Sequence, residues 1–400
     1  MKPTQVLNPV MHEIIGETGF TYLAIVKKLI REGKDVVSFG IGQPDFPTPS
    51  HIREAAKKAL DEGFTGYTET AGIVELREAI SEYLSRYGKV SPDEIIVTTG
   101  AKTAVFIAVA AFLRPGDELL IPDPSYYAYS QVAKFVGAKP VFVPMSFEEH
   151  EGFSIDIEKF EQAITEKTRG IVINNPHNPT GTVLSPEEMD AIMDLARKHN
   201  LVVFVDEIYD NFVFHGTKFK SFLSYDDWRD YVVYVNGFSK TFSMTGWRLG
   251  YLVARKEVIP RLIDLAVSVY SCAPSFVQKA GVEALKGDWG PVDEMVKEFE
   301  RRAKRLYEIL SEAPGIEAYL PKGAFYMFPR VKKLLDATGL DVHKLVDKLL
   351  YDYGVLVLPG TSFPGELGKD FVRLSFATSM QDIEKGAKRI VDAAKRLTQG

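Results

Sequence analysis

Lys240 lies in a segment whose residue types could bind a phosphate and react with a carbonyl group. The run before it, Val232-Val233-Tyr234-Val235, is apolar and β-branched, which predicts a buried strand. Open α/β sheets bind ligands at the carboxyl ends of their strands. The Ser239 hydroxyl and the Arg248 guanidinium could both contact a phosphate there. Because lysine forms Schiff bases with carbonyl cofactors, the segment favours tethered pyridoxal phosphate, although alone it fits a surface-loop lysine equally well.

A second predicted strand ends in an acid followed by a phenol. Asp206 comes directly after the strongly apolar run Leu201-Val202-Val203-Phe204-Val205, and Tyr209 follows three residues later. A carboxylate at that point could keep a pyridine nitrogen protonated, so that the ring withdraws electrons from the bond being broken. Taken alone, Asp206 could equally be the N-cap of a helix.

Two further strand ends carry residues that could bind a phosphorylated ring. Gly100-Ala101-Lys102 joins a predicted strand to a helix, where free backbone N–H groups and the helix dipole favour a phosphate. Its spacing is neither that of a P-loop nor that of a dinucleotide fingerprint. An asparagine in residues 174–181 could donate to a ring oxygen, or the loop could be held by Asx turns. The four strand ends together favour a single cofactor site.

The elements that must position these residues alternate along the chain. Helical periodicity covers residues 52–62, 72–86, 103–113, 126–136 and 186–199. Strand patterns cover residues 94–98, 118–121, 139–143, 170–174, 201–205 and 231–235, and residues 250–254 add a strand of unassigned direction. Such alternation predicts an α/β fold in which helices cover both faces of a mostly parallel sheet.

The pattern changes after about residue 290. A long charged helix over 291–312 is followed by strands at 324–328, 354–358 and 371–376 and by helices at 341–353 and at the end. This order predicts a smaller α+β domain. We therefore expect a large cofactor-binding domain over 47–290, a small domain over 291–400, and a segment over 1–46 that packs with the small domain.

Composition limits the class of protein. A hydrophobic content of 46% supports large cores, and a net charge of −6 gives no general attraction for nucleic acid or an anionic membrane. The single cysteine, Cys272, excludes a disulfide framework within the chain and any multi-cysteine metal site. The start, Met1-Lys2-Pro3-Thr4-Gln5, lacks the apolar run of a signal peptide, so we expect a cytoplasmic protein.

With these residues the chain resembles the fold-type I pyridoxal phosphate enzymes, in particular the class I/II aminotransferases of the aspartate aminotransferase superfamily. The resemblance extends over nearly the whole chain. Its motifs are Gly42-Gln43-Pro44-Asp45-Phe46, Tyr67 with Gly72-Ile73-Val74-Glu75-Leu76-Arg77, Asn175-Pro176-His177-Asn178-Pro179-Thr180-Gly181, Asp206-Glu207-Ile208-Tyr209, Ser239-Lys240 with Gly246-Trp247-Arg248, and Arg373 in Val372-Arg373-Leu374-Ser375. The resemblance implies a large domain with a mostly parallel seven-stranded sheet between helices.

The resemblance also implies roles for individual residues. The catalytic residues would be Lys240, which carries the cofactor and moves a proton, Asp206 on the ring nitrogen, and Tyr209 on the phenolic oxygen. The other cofactor-binding positions would be Gly100, Ala101, Lys102, Ser239 and Arg248 at the phosphate, Asn178 at the phenolic oxygen, and Tyr126 on the ring face. Tyr67 would reach the phosphate of a neighbouring subunit, which implies a homodimer.

Substrate binding is implied for Gly42, Asn178 and Arg373. Arg373 alternates with apolar neighbours on a predicted strand, so we expect it to be buried. A buried guanidinium is suited to bind a carboxylate. The implied reaction moves an amino group from an L-amino acid, such as aspartate or an aromatic one, to a 2-oxo acid such as 2-oxoglutarate by a ping-pong mechanism. The alternatives are a C–S β-lyase, a kynurenine or 2-aminoadipate aminotransferase, and a non-catalytic regulator that binds the cofactor.

Overall fold

The computed structural model describes residues 6–399. Its strands run in chain order from β1 to β14. They are β1 (Val37–Ser38), β2 (Ile95–Thr98), β3 (Glu118–Asp123), β4 (Lys139–Pro144), β5 (Ser146–Glu148), β6 (Gly152–Ser154), β7 (Thr168–Asn174), β8 (Val202–Asp206), β9 (Val232–Gly237), β10 (Gly250–Val253), β11 (Tyr326–Met327), β12 (Val355–Leu356), β13 (Leu358–Pro359) and β14 (Val372–Ser375).

The helices surround and connect these strands. They are α1 (Thr18–Arg31), α2 (Ser50–Asp61), α3 (Val74–Leu84), α4 (Ala101–Phe112), α5 (Ala128–Phe135), α6 (Ile157–Ala163), α7 (Pro186–His199), α8 (Trp228–Tyr231), α9 (Ile259–Tyr270), α10 (Ser275–Lys286), α11 (Gly290–Leu310), α12 (Lys332–Thr338), α13 (Val342–Tyr351) and α14 (Met380–Gln399). Short 3-10 helices cover Pro9–His12, Pro92–Glu94, Phe222–Ser224, Thr245–Trp247, Gly360–Ser362 and Leu367–Asp370.

A seven-stranded sheet forms the centre of the molecule. Its strand order is β2-β10-β9-β8-β7-β3-β4. β10 is antiparallel to both of its neighbours, and the remaining pairs are parallel. The six parallel strands therefore direct their carboxyl ends to one edge of the sheet. The predicted α/β class with a mostly parallel seven-stranded sheet is confirmed, and β10 receives the direction that the sequence left open.

Helices cover both faces of this sheet because each face is apolar. On one face the buried cluster includes Ile96, Ile107 and Leu252, and on the other it includes Val97, Ile192 and Tyr251. Strands β2, β3, β7 and β9 are almost continuously buried, as expected for parallel strands packed on both sides, whereas the edge strand β4 is partly exposed.

The carboxyl-terminal part has an α+β arrangement. A three-stranded antiparallel sheet has the order β11-β14-β13, and β1 pairs in parallel with β12. The long helix α11 packs against α14, with Phe299 and Ile390 among the buried residues of one shared cluster. The pairing of β1 with β12 joins the amino-terminal segment to this part, which follows from the matching apolar residues Val37 and Val355.

Several predicted bounds differ from the observed ones. The predicted strand 94–98 begins at Ile95, because Pro92–Glu94 forms a 3-10 turn capped by Ser91. Strand patterns did not predict the β5–β6 hairpin, and helix patterns did not predict α6, α9 or α10. No helix among residues 6–399 has the length and apolar character needed to cross a membrane. The first five residues, on which the expectation about a signal peptide depends, lie outside the described residues.

Candidate active site

A cleft of about 510 Å³ opens at the carboxyl-terminal edge of the central sheet. The loops after β7, β8 and β9 line it, together with the start of α4, the segment around Tyr126, part of α1, and two residues of the α+β part, Tyr326 and Arg373. Of the residues predicted for the site, the cleft brings together Gly42, Ala101, Lys102, Tyr126, Asn178, Asp206, Tyr209, Ser239, Lys240, Arg248 and Arg373. Gly100 lies directly beside Arg248, and Tyr67 lies elsewhere.

Lys240 lies shortly after β9, where the chain turns between Gly237 and the 3-10 helix Thr245–Trp247. Its Nζ donates to the Gly42 carbonyl at 2.6 Å. Burial is the main reason that the pKa of Lys240 is lowered to about 8; the cations of Arg373 and Lys102 contribute to the lowering, and Glu17 and Asp206 oppose it. A substantial fraction of this amine is therefore neutral near physiological pH, which is the form that attacks a carbonyl carbon.

Asp206 is the last residue of β8 and is buried at the floor of the cleft. Its two oxygens accept from the Tyr129 hydroxyl at 2.8 Å and from the Ile208 amide at 3.1 Å. Burial raises the pKa of Asp206 to about 6, although these two hydrogen bonds oppose the rise. A buried carboxylate whose partners are both uncharged is suited to a cation brought by a ligand.

Helix α4 begins at one end of the cleft. Gly100 precedes it with a φ of +94° and provides no side-chain cap, so the first amides of the helix, at Ala101 and Lys102, have no acceptor within the helix. Arg248 lies across from them, and its guanidinium donates to the carbonyls of Thr245 and Thr99. A β-carbon at position 100 would lie 2.3 Å from an Arg248 nitrogen. This end of the cleft combines a guanidinium with free amides, which is an arrangement suited to an anion.

The loop after β7 holds Asn178 in place through its neighbour Asn174. The Asn178 amide donates to Asn174 Oδ1 at 2.7 Å, and Asn174 Nδ2 donates to the Asp206 carbonyl at 2.9 Å. The Asp123-Pro124, Asn175-Pro176 and Asn178-Pro179 bonds are cis. Asn174 thus connects the loop after β7 to the end of β8, and sequence reasoning did not single it out.

Arg373 occupies β14 and is buried, as its alternation with apolar residues predicts. Its guanidinium donates to Asn178 Oδ1 at 3.3 Å and to the Gly40 carbonyl, and it lies 4.5 Å above the Tyr326 ring. Its Nε has no hydrogen-bond partner among residues 6–399. A buried cation with uncharged partners and a free donor is suited to an incoming carboxylate.

The opening of the cleft is bordered by α1 and by aromatic residues. Lys102 Nζ donates to Glu17 at 3.1 Å and to the Tyr127 hydroxyl at 2.9 Å. Phe20, Ile41 and Tyr126 add apolar surface to the lining of the cleft. The Tyr126 ring packs edge-on against Tyr129 at 5.7 Å between centroids.

Tyr67 is placed apart from the cleft of its own chain. It is 91% exposed and follows α2 in a loop on the surface. An aromatic side chain so fully exposed does not contribute to the packing of its own chain.

Sequence reasoning missed three residues that contact the predicted ones. Tyr129 donates to Asp206, Glu17 pairs with Lys102, and the Tyr326 hydroxyl lies 2.8 Å from that of Tyr209. The available signal for the first of them was that Tyr129 lies in the same short segment as Tyr126, only three residues after it. Nothing in the local sequence connects Tyr326 with Tyr209, since that contact depends on how two distant segments pack.

Comparisons with known proteins agree with this geometry. The family model described as aminotransferase class I and II matches residues 34–390. An aspartate aminotransferase of Sulfurisphaera tokodaii is 48% identical over 381 residues, which cover 95% of each chain. The structure of an aspartate aminotransferase from Thermus thermophilus with maleate superposes with a TM-score of 0.90 at 34% identity, covering 98% of this chain and 100% of that one. An aromatic aminotransferase from Pyrococcus horikoshii gives a TM-score of 0.86 at 39% identity, covering 93% and 99%.

Proposed function

The chain belongs to the class I and II aminotransferases and is a pyridoxal-phosphate-dependent transaminase, and on that premise we propose that it moves the amino group of aspartate or an aromatic L-amino acid to 2-oxoglutarate by a ping-pong mechanism. The observation that carries this proposal is a buried amine, Lys240, whose pKa is lowered to about 8 in the same cleft as Asp206 and Arg373. A carbonyl cofactor and an amino acid would meet there.

The polar groups of the cleft match the cofactor's groups one by one. Arg248, the Ser239 hydroxyl and the amides of Ala101 and Lys102 would hold the phosphate, and Gly100 would allow its close approach. Asp206, buried with uncharged partners, would hold the protonated ring nitrogen. Tyr209 and Asn178 would contact the phenolic oxygen, and Tyr126 the ring face. When bound, the cofactor supplies an electron sink for the bond that breaks at the substrate's α-carbon.

Lys240 has two tasks in this proposal. Its amine would hold the resting cofactor, and once a substrate has replaced it, Lys240 Nζ would take the proton from the substrate's α-carbon. A base works best when its pKa is near the working pH, and burial brings the pKa of Lys240 to about 8. The Gly42 carbonyl, which accepts from Nζ at 2.6 Å, would keep the amine at the centre of the cleft while Gly42 covers the substrate.

Arg373 and Asn178 would bind the α-carboxylate. Amino acids and 2-oxo acids share this group, so one guanidinium can orient the substrate of each half-reaction in turn. This shared requirement supports the ping-pong order. The apolar surface of Phe20, Ile41 and Tyr126 supports an aromatic side chain, whereas a distal carboxylate would have to compete with Glu17 for Lys102.

The domain division and the dimer remain part of the proposal. A boundary near residue 290, where α11 starts, is supported by one buried cluster, because most of its members lie after that residue. The pairing of β1 with β12 supports the packing of residues 1–46 with that part. The fully exposed ring of Tyr67 supports a homodimer in which it reaches the neighbouring subunit's phosphate site.

A product assay tests the reaction. Purified protein with pyridoxal phosphate would be given aspartate, phenylalanine, tyrosine, kynurenine, 2-aminoadipate or alanine, each with 2-oxoglutarate. We expect glutamate and the matching 2-oxo acid in equal amounts, with aspartate or an aromatic donor fastest. In a parallel assay with a cysteine conjugate as donor, pyruvate and ammonia without glutamate would favour the β-lyase instead.

A further inference from the structure

Tyr326 joins the two sides of the cleft through its hydroxyl and its ring. It lies on β11, opposite Ser375 of β14, and is buried. Its hydroxyl is 2.8 Å from the Tyr209 hydroxyl, which belongs to the loop after β8. Tyr326 thus connects the α+β part to a residue that we place at the cofactor's phenolic oxygen.

The single proton of each phenol determines which hydroxyl donates in the contact between Tyr326 and Tyr209. A phenol has one proton to donate and can also accept. If Tyr209 donates its proton to the cofactor, as proposed above, it cannot also donate to Tyr326. The 2.8 Å contact must then be a hydrogen bond in which Tyr326 donates and the Tyr209 oxygen accepts.

The acidity of the two phenols agrees with that direction. Burial raises the pKa of Tyr326 to about 12, and the Arg373 guanidinium above its ring opposes the rise. Burial, Tyr326 and Asp206 all raise the pKa of Tyr209 well above its ordinary value. Between two neutral phenols, the more acidic one is the better donor. The Arg373 cation against the Tyr326 ring therefore favours Tyr326 as the donor.

The rest of Tyr326 contacts two other parts of the site. Its ring lies 4.5 Å below the Arg373 guanidinium. A β-carbon at position 42 would lie 1.9 Å from its hydroxyl, so the backbone of Gly42 lies directly against this group. The Gly42 carbonyl in turn accepts from Lys240. Only glycine at position 42 allows both contacts.

We propose that Tyr326 is a positioning residue for transamination: its hydroxyl donates to Tyr209 and turns the single Tyr209 proton toward the cofactor, while its ring supports Arg373. The inference rests on the proposed function, because it needs Tyr209 at the phenolic oxygen. A hydroxyl that accepts a hydrogen bond becomes a stronger donor, by roughly a tenth to a third. Tyr326 would therefore strengthen the bond from Tyr209 to the cofactor without touching the cofactor itself.

The test is a pH titration of the absorbance of the cofactor bound to Lys240. The measured quantity is the midpoint pH of the absorbance change. A donor to the negative phenolic oxygen lowers the pKa of the nearby nitrogen that links the cofactor to Lys240. Tyr209→Phe should raise the midpoint, and Tyr326→Phe should raise it by a smaller amount, about half a pH unit. The double variant should match Tyr209→Phe, because Tyr326 acts only through Tyr209. The KM for the amino acid should change less than about 2-fold in Tyr326→Phe, since the ring remains under Arg373.

Two further variants separate the hydroxyl from the ring. Tyr326→Leu should raise the midpoint like Tyr326→Phe and also raise KM, because Arg373 loses the ring beneath it. Replacing Tyr326 with 3-fluorotyrosine keeps the shape but makes the phenol more acidic, so the midpoint should move down. The fluorinated residue also serves if Tyr326→Phe fails to fold.

The control is Tyr225→Phe, which removes a hydroxyl that donates to Asp190 on the surface. Its midpoint should equal that of the unaltered protein. An unchanged midpoint in both Tyr326→Phe and the fluorinated protein, or a shift that adds fully to that of Tyr209→Phe, would overturn the inference. Failure of the unaltered protein to hold any cofactor on Lys240 would instead overturn the proposed function, and this inference with it.

Discussion

Three buried charged side chains of the cleft, Lys240, Asp206 and Arg373, have uncharged partners. Lys240 donates to a backbone carbonyl, Asp206 accepts from a phenol and an amide, and Arg373 donates to an amide oxygen and a carbonyl. Leaving buried charges without opposite charges costs on the order of several kcal/mol per ion. The arrangement suits ligands that bring the missing charges, namely a ring cation for Asp206 and a carboxylate for Arg373.

The lowered pKa of Lys240 gives a pH prediction at this scale. Burial disfavours the ammonium form, so the amine of the cofactor-free protein should become reactive as pH rises through about 8. Competitive acetylation with acetic anhydride, followed by mass analysis of the Lys240 peptide, measures this midpoint.

The control is the same labelling in urea, where Lys240 should titrate near the ordinary lysine value of about 10.4. Folded protein whose Lys240 reactivity still climbs steadily up to pH 10 would contradict the burial of a neutral amine. Removing the Arg373 cation, as in Arg373→Met, should move the folded midpoint upward, because that cation lowers the pKa of Lys240.

At the scale of elements, the loops after parallel strands converge because the six parallel strands end at one edge. The sequence predicted this convergence from the polar residues that follow apolar runs, as at Asp206 and Lys240. It did not predict the β5–β6 hairpin, in which three-residue strands give too short a pattern. It also missed α9 and α10, although their buried residues recur at helical spacing, as Ile259, Leu262 and Ala266 do in α9.

The turn before α4 gives a prediction about phosphate binding. Gly100→Ala would place a methyl group 2.3 Å from the Arg248 guanidinium and also strain a φ of +94°. We expect the cofactor's dissociation constant to rise by at least about 10-fold, since a charge-assisted hydrogen bond contributes roughly 1.5–3 kcal/mol. Fluorescence titration of the cofactor-free protein measures this constant.

Gly116→Ala is the matched control for that variant. Gly116 also has a positive φ, of +87°, but no atom lies within 4 Å of its added methyl group. Both variants should lose about 1 kcal/mol of stability from backbone strain. Only Gly100→Ala should lose cofactor affinity, and equal losses in the two variants would show that strain rather than Arg248 is responsible.

At the scale of the whole molecule, the cleft depends on contacts that no local pattern reveals. Arg373 and Tyr326 approach Asn178 and Tyr209 from segments more than a hundred residues away. Sequence reasoning found Arg373 through the family motif and through its place among apolar neighbours. It could not find Tyr326, because a tyrosine between apolar residues is typical of any core strand.

The proposed dimer predicts that two variants with impaired active sites regain activity when their subunits are mixed. Subunits with Tyr67→Ala and subunits with Lys240→Ala would be purified separately and mixed after partial denaturation and refolding. If Tyr67 serves the neighbouring subunit, a mixed dimer has one site with both Lys240 and an intact Tyr67. Activity should then exceed the sum of the two separate proteins by several-fold.

The comparison is the double variant Tyr67→Ala/Lys240→Ala mixed with the unaltered protein. There each mixed dimer has one Lys240 site that lacks a neighbour's Tyr67, so no gain is expected. Sedimentation at micromolar concentration should show twice the chain mass. A monomer that is fully active would contradict the role assigned to Tyr67.

The most direct test is the covalent one. Protein incubated with pyridoxal phosphate would be reduced with borohydride, digested and examined by mass spectrometry. We expect a single cofactor adduct, on the peptide that contains Lys240. The Lys240→Ala protein should show no adduct, no yellow colour and no transamination of amino acids. An adduct on another lysine, or a Lys240→Ala protein that transaminates normally, would contradict the assignment of this cleft.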